Sequence, residues 1–368
     1  MDKLSRCFQI SGIFVLAAIL SNLGQASPHQ IPTEREEQMD QLFDSYTGSR
    51  PGAAVAVFRG GEMVFAKGYG RRHLEQDEAV TLTSNFRLAS VSKAFTAMAV
   101  MILLDRGLLS LETPLTDVFP DYPSYGARIT MGHLLGHTSG LYAFEDLMNR
   151  YPTPRPIKDA DVLQLMIDHS RSTYFTPGSS YRYSNTGYVL LAQVVERLSG
   201  KRFSEFLEDE VFVPLGMSQT VAFENGINTV PERAFGYAWQ NGRYRDADQS
   251  DTSSTLGDGG VYTSVSDMLH WDRLWRGDGP ALVSPEILAA ATTPGRLNNG
   301  RQTSYGYGWS LGTYRGTTAV THTGSTSGFR TAFQRYPEKD LSVVVLVNRA
   351  GASPWNQARQ VADLFWND

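Results

Sequence analysis

From Val91 to Gly107 the chain reads VSKAFTAMAVMILLDRG, a run rich in Ala, Met and Leu whose only charge before Asp105 is Lys93. A helix apolar on every side has to be buried, so the rest of the fold must close over it. Gly107 supplies its stop. A lone lysine at the entrance of such a helix needs a reason, because lysine is almost never enclosed without a partner. Ser90 stands three residues before it, at the place where the helix opens. Residues i and i+3 share a helix face, which sets Lys93 beneath the Ser90 hydroxyl. The unpaired N–H groups and positive dipole end of a helix start favour a nascent alkoxide there. A lysine enclosed beside it is suited to take the serine proton. Taken alone, S-x-x-K is weak, since chance gives about one per chain at ordinary composition. Its apolar setting makes Ser90 a candidate nucleophile and Lys93 its candidate base.

Two further motifs follow in the chain. Tyr183-Ser184-Asn185 is its only Tyr-x-Asn, placed in the loop Pro177–Arg182 ahead of a helix expected from Val189. A phenol beside a lysine can carry a proton to a leaving group. Asn185 offers an amide donor and an acceptor, for Lys93 and for a substrate carbonyl. His322-Thr323-Gly324 is expected at the end of a strand, where a sheet edge can pair with an extended substrate. Gly324 permits close approach of ligand or chain, and the hydroxyls of Thr323 and Ser325 suit a carboxylate. Each motif has an ordinary structural explanation when met singly: a turn and a helix cap for the second, a strand-to-turn junction for the third.

The surrounding pattern is mixed. Thr33–Tyr46 reads as an amphipathic helix capped by Thr33, with acidic residues in its first turn. Ala53–Phe58 and Met63–Ala66 flank Arg59-Gly60-Gly61-Glu62 and predict a hairpin. Helical spacing recurs at Val162–His169, at Val189–Leu198 (closed by Gly200) and at Phe203–Glu210. Tyr151–Pro156, with three prolines, is a stiff loop. Strands are expected at Gly306–Leu311, Ala319–His322, Phe329–Tyr336 and Leu341–Asn348, and a closing helix at Trp355–Trp366. The expectation is an α+β fold, with an antiparallel sheet assembled from both termini. Residues 33–103 and 301–368 would form the α/β part and 104–300 a mainly helical part, with Tyr142–Ile157 shaping the pocket.

At 368 residues and 41% hydrophobic content the chain can build a sizeable core. A formal charge of −5 gives no basic footprint for nucleic acid. Lys3 and Arg6, the apolar run Ile10–Leu20 and the small residues Gly24 and Ala26, at −3 and −1 of a cleavage after Ala26, read as a signal peptide over residues 1–26. The mature chain, 27–368, would then be exported, periplasmic or secreted, and would touch a membrane only if that segment stayed uncleaved. Cys7 is the only cysteine, so the mature chain would hold no disulfide, thiolate nucleophile or cysteine-based zinc site. No cofactor and no metal is expected. His133 and His137 are four apart, but Leu134 stands where a zinc protease would carry Glu. No G-x-S-x-G elbow occurs.

S-x-x-K, Y-x-N and H-T-G in this order resemble the serine β-lactamase and penicillin-binding-protein superfamily. Within it, they resemble the branch of class C β-lactamases, D-alanyl-D-alanine carboxypeptidases, D-aminopeptidases and esterases. Leu134–Leu141 (LLGHTSGL), Gly259–Ser264 (GGVYTS) and Tyr305–Trp309 (YGYGW) are similar to the same branch, and the likeness runs from Glu36 to the C-terminus. The resemblance implies Ser90 as nucleophile, with Lys93 and Tyr183 sharing the acid–base work. It also implies an oxyanion hole from the N–H groups of Ser90 and Ser325, and Asn185 at the acyl-side amide. β-Lactamases of this branch usually carry Lys at position 322. Histidine there is a weaker, pH-dependent anchor for a carboxylate and resembles the carboxypeptidase and aminopeptidase members. Arg330 is a candidate to replace the missing charge. The implied activity is a D-alanyl-D-alanine carboxypeptidase or related D-peptidase, with short-acyl esterase and β-lactamase as alternatives. Its substrate would be a D-Ala-containing peptide, an ester or a β-lactam. A penicillin- or peptidoglycan-sensing binder would be marked by loss of Ser90 or Lys93, and both are present.

Overall fold

The computed structural model describes residues 32–368. The segment read as a signal peptide, with Cys7, lies outside the described residues. Six strands form one antiparallel sheet: β1 (Ala53–Arg59), β2 (Glu62–Tyr69), β3 (Ser310–Tyr314), β4 (Thr317–Thr326), β5 (Phe329–Tyr336) and β6 (Leu341–Val347). Their order is β3-β4-β5-β6-β1-β2. β1 therefore pairs with β2 on one side and with β6, nearly 300 positions later, on the other, placing Val55 opposite both Lys67 and Val345. Gly60 and Gly61 make the β1–β2 turn, both at positive φ, where glycine carries no Cβ penalty.

Side chains alternate across a strand, and the two faces of this sheet are covered separately. Ala53, Val55, Val57, Val343, Val345 and Val347 pack with the helices α1 (Thr33–Phe43) and, at the other end of the chain, Pro354–Leu364. Their neighbours Ala54, Ala56, Phe58, Val344 and Leu346 join the larger core on the opposite face. That core contains the helix α2 (Lys93–Asp105), whose residues from Lys93 to Leu103 are all buried. Phe95 of α2 stacks on Trp271 of the helix Val265–Arg276, with ring centroids 4.0 Å apart. Helices Asp159–His169 and Asn185–Ser199 complete the body on the far side of α2.

The fold is α+β, as the sequence leads one to expect, with several local differences. Thr33 is the first residue of α1 rather than its cap; Pro32 precedes it and no side chain caps the end. The expected strand at Gly306–Leu311 begins only at Ser310, because Tyr305–Trp309 is a loop. Gly308 passes so close to α2 that a Cβ would lie 2.6 Å from the Ala94 Cα. His322 lies within β4, not at its end, since the strand continues to Thr326 through pairing with β5. The helix expected from Val189 starts at Asn185, with Ser184 as its cap accepting from the Gly187 N–H.

Candidate active site

Ser90 sits on a 3-10 turn, Ala89–Ser92, that leads into α2. It thus precedes the α-helix proper, a correction to the expectation that it opens it. Ala89 holds a positive φ of 49°, unusual for a residue with a Cβ and a mark of backbone fixed by its surroundings. The fixing groups are visible. The Leu88 N–H donates to the Val261 carbonyl at 2.8 Å, and the Thr331 hydroxyl donates to the Leu88 carbonyl at 2.7 Å. Gly324 lies against that same carbonyl, where a Cβ would be 2.0 Å away. The close approach inferred for Gly324 is therefore that of the chain carrying Ser90.

Lys93 is fully buried, and its Nζ has three oxygen acceptors. These are Ser90 Oγ at 3.2 Å, Asn185 Oδ1 at 2.9 Å and the Asp258 carbonyl at 2.9 Å. The serine hydroxyl is thus one of three oxygens gathered around a single lysine nitrogen. Just before Asp258, the N–H groups of Leu256 and Gly257 donate to the Asp159 carboxyl at 2.7 and 3.1 Å. Asn185 uses its other end as a donor, to Glu145 Oε1 at 2.8 Å. Burial raises the Glu145 carboxyl above its ordinary range, and the Asn185 bond opposes that shift.

Tyr183 lies over Lys93, whose Nζ is 4.9 Å from the ring centroid. Its hydroxyl makes no hydrogen bond among the described residues. His322 is brought to the same place but not as a cation. Its Nδ1 faces the Thr323 carbonyl at 2.8 Å, which can only accept, so Nδ1 carries the proton. Nε2 is then the acceptor for the Tyr305 hydroxyl at 2.9 Å. Burial, then the charge on Lys93, push His322 down to about 3. The pH-dependent carboxylate anchor expected at this position is therefore corrected: the ring is neutral and both nitrogens are engaged.

A recess of about 120 Å³ opens at Ser90. Arg87, Glu145, Asn185, Asp258, Ser325 and Thr326 are among its walls. Thr323 and Ser325 are exposed, alternating with buried His322 and Gly324. Arg330 is not brought in. It pairs with Ser325 across the strands, but its Nη1 donates to the carbonyls of Ser327 and Phe329. Arg87 is nearly enclosed and spends its donors on Gly259 O, Ser253 O and the Gln249 amide. Glu145 and Asp258 escape sequence reasoning because nothing local distinguishes them. Glu145 falls in the segment Tyr142–Ile157, and its side chain borders the recess. His133 and His137 serve separate backbone groups: His133 Nδ1 accepts the Thr130 N–H, and His137 Nδ1 accepts the Ser184 N–H.

A serine joined to a buried lysine, set between an antiparallel sheet and a helical body, defines a serine hydrolase. The chain belongs to the β-lactamase family, whose model, described as "Beta-lactamase", matches residues 37–364. It is 30% identical over 320 residues to penicillin-binding protein 4* of Bacillus subtilis (strain 168), covering 83% of this chain and 69% of that protein. To a D-aminopeptidase of Gluconobacter oxydans (strain 621H) it is 28% identical over 317 residues, covering 85% and 58% respectively. Its fold matches the octameric penicillin-binding protein homologue from Pyrococcus abyssi with a TM-score of 0.77 at 26% identity, over 90% of this chain and 77% of that one.

Proposed function

We propose that this serine hydrolase cleaves peptide or amide bonds through an acyl-enzyme on Ser90, and that the acyl group it accepts carries a free amine, as a D-aminoacyl group does. The observation that carries the second half is the charge of the recess. Asp258 and Glu145 both stand in its wall, and Asp258 Oδ1 has no hydrogen-bond partner among the described residues. An ammonium on the substrate would be complementary to these two carboxyl groups. A carboxylate would meet the same two carboxyl groups, while His322 is taken up by Tyr305 and the Thr323 carbonyl and Arg87 is already bonded to Gly259, Ser253 and Gln249. This moves the reading from a D-alanyl-D-alanine carboxypeptidase toward a D-aminopeptidase or amidase, and the D-aminopeptidase relative supports it.

In this reading Ser90 Oγ attacks the carbonyl carbon while its proton passes to Lys93 as the free amine or to Tyr183 as the phenolate. The oxyanion is held by the N–H groups of Ser90 and Ser325. The same proton goes to the leaving amine as the C–N bond breaks. Water then attacks the ester, loses its proton to the same pair and releases Ser90. Asn185 holds Lys93 from the side and offers its amide to the acyl group when Glu145 turns to the ammonium. Thr323, Gly324 and Ser325 form the edge along which the substrate backbone lies.

The test compares D-alanine p-nitroanilide, its N-acetyl derivative, an N-blocked D-Ala-D-Ala peptide, p-nitrophenyl acetate and nitrocefin. We expect turnover of the free-amine anilide, with the acetylated one slower by at least about ten-fold, the weight of one lost charge-assisted contact. Ser90→Ala should abolish both turnover and the mass adduct left by a fluorophosphonate. D-Ala release from the blocked peptide with the free-amine anilide untouched would establish the carboxypeptidase instead, and turnover of the ester alone an esterase. We also propose that the chain is exported after cleavage behind Ala26. N-terminal sequencing of the secreted or periplasmic protein should begin at Ser27, and an intact Met1 there would refute it.

A further inference from the structure

Tyr183 has 41% of its surface exposed. Among the described residues no hydrogen bond fixes its hydroxyl, yet a proton carrier must be held to a fraction of an ångström. One residue grips it from behind. The His137 carbonyl accepts the Arg182 N–H at 2.9 Å, and His137 Nδ1 accepts the Ser184 N–H at 3.2 Å. The residues on either side of Tyr183 are thereby tied to a single side chain and its own backbone. The imidazole also lies against the phenol, with ring centroids 4.3 Å apart, and against Tyr305 at 4.4 Å.

The backbone of His137 is held in the left-handed region, at φ 57°, and the residue is fully buried. A side-chain-bearing residue keeps such a conformation only where the surroundings demand it. Here it lets carbonyl and ring reach the same three-residue segment. Burial, Lys93 and His322 all lower the proton affinity of the ring, so Nδ1 stays free to accept. Its proton is then on Nε2, which has no hydrogen-bond partner among the described residues. The cluster tolerates an unmet donor there, while the Nδ1 bond to the Tyr183 segment is kept.

We propose that His137 is a positioning residue for Tyr183, clamping Arg182–Ser184 so that the phenol stays over Lys93 beside Ser90. This rests on the reading of Tyr183 as a proton carrier, and the test separates the two. His137→Leu fills the space without an acceptor; His137→Asn keeps an acceptor and suits a left-handed backbone. We expect His137→Leu to lower kcat by about ten-fold or more with KM little changed, the usual cost of a slightly misplaced catalytic group. His137→Asn should restore most of that loss. In a Tyr183→Phe background His137→Leu should cost nothing further, the non-additivity expected of residues acting as one unit. Thermal melts of all variants separate loss of fold from loss of positioning. Equal fold-losses from His137→Leu in both backgrounds would overturn the inference while leaving Tyr183 its role. Full activity in Tyr183→Phe alone would remove that role, and with it anything for His137 to position.

Discussion

At position 322 an imidazole stands where the β-lactamases of this branch usually carry a lysine. The substitution does more than weaken a cation. Tyr305 and the Thr323 carbonyl take up both ring nitrogens, and enclosure beside Lys93 holds the ring neutral. The consequence for stability has a definite sign. With the native value pushed down from 6.5 to about 3, the unfolded chain binds a proton in the window between those values that the native one refuses. The stabilisation is whole above pH 6.5 and is lost as pH falls toward 3. His137, lowered by burial and by the same lysine, adds in the same sense. His322→Gln removes one titrating group, so its melting temperature should drop less between pH 7 and pH 5 than that of the unsubstituted protein. An equal drop in differential scanning calorimetry would show that His322 titrates normally. Activity should show no rise or fall assignable to His322 between pH 5 and 8.

The element that matters most is the short turn Ala89–Ser92, and it is shaped by its clamps. Gly324 of β4 and Thr331 of β5 receive the Leu88 carbonyl, and Val261 receives the Leu88 N–H. Gly324→Ala would drive a Cβ into backbone 2.0 Å away, which side-chain rotation cannot relieve. We expect a loss of about 1–3 kcal/mol in urea unfolding, the range for overpacking a close-packed site. Displacing the Ser90 turn from β4 should also lower kcat. Unchanged stability and rate would mean that the turn is not seated on the strand. The glycine's importance is visible in the sequence as part of H-T-G, but its partner is not. Leu88 lies 236 positions away along the chain, and nothing local announces it.

Over the whole molecule the sheet is closed by its last strand. β6 lies between β5 and β1, so it joins the N-terminal hairpin to the C-terminal strands. Ending the chain at Asp340 would expose both flanking edges and uncover Val55, Val57 and their partners on each face. The expected outcome is loss of a cooperative thermal transition by circular dichroism, together with loss of covalent labelling at Ser90. A truncated chain that melted cooperatively and still labelled would show that β6 is dispensable. Local pattern made much of this architecture legible. The apolar runs Ala53–Phe58 and Leu341–Val347, the Gly60-Gly61 turn and the apolar run after Lys93 depend on neighbours a few residues apart. The three motifs, read in order, likewise place Ser90, Lys93, Tyr183 and His322 in one family of sites. What only the folded chain decided is which groups those four meet. Glu145 and Asp258 line the recess, Arg330 is turned aside, His322 is held neutral and His137 grips the Tyr183 loop. These outcomes follow from burial and from side-chain partners, some adjacent and many distant in sequence, and periodicity and composition carry no information about either.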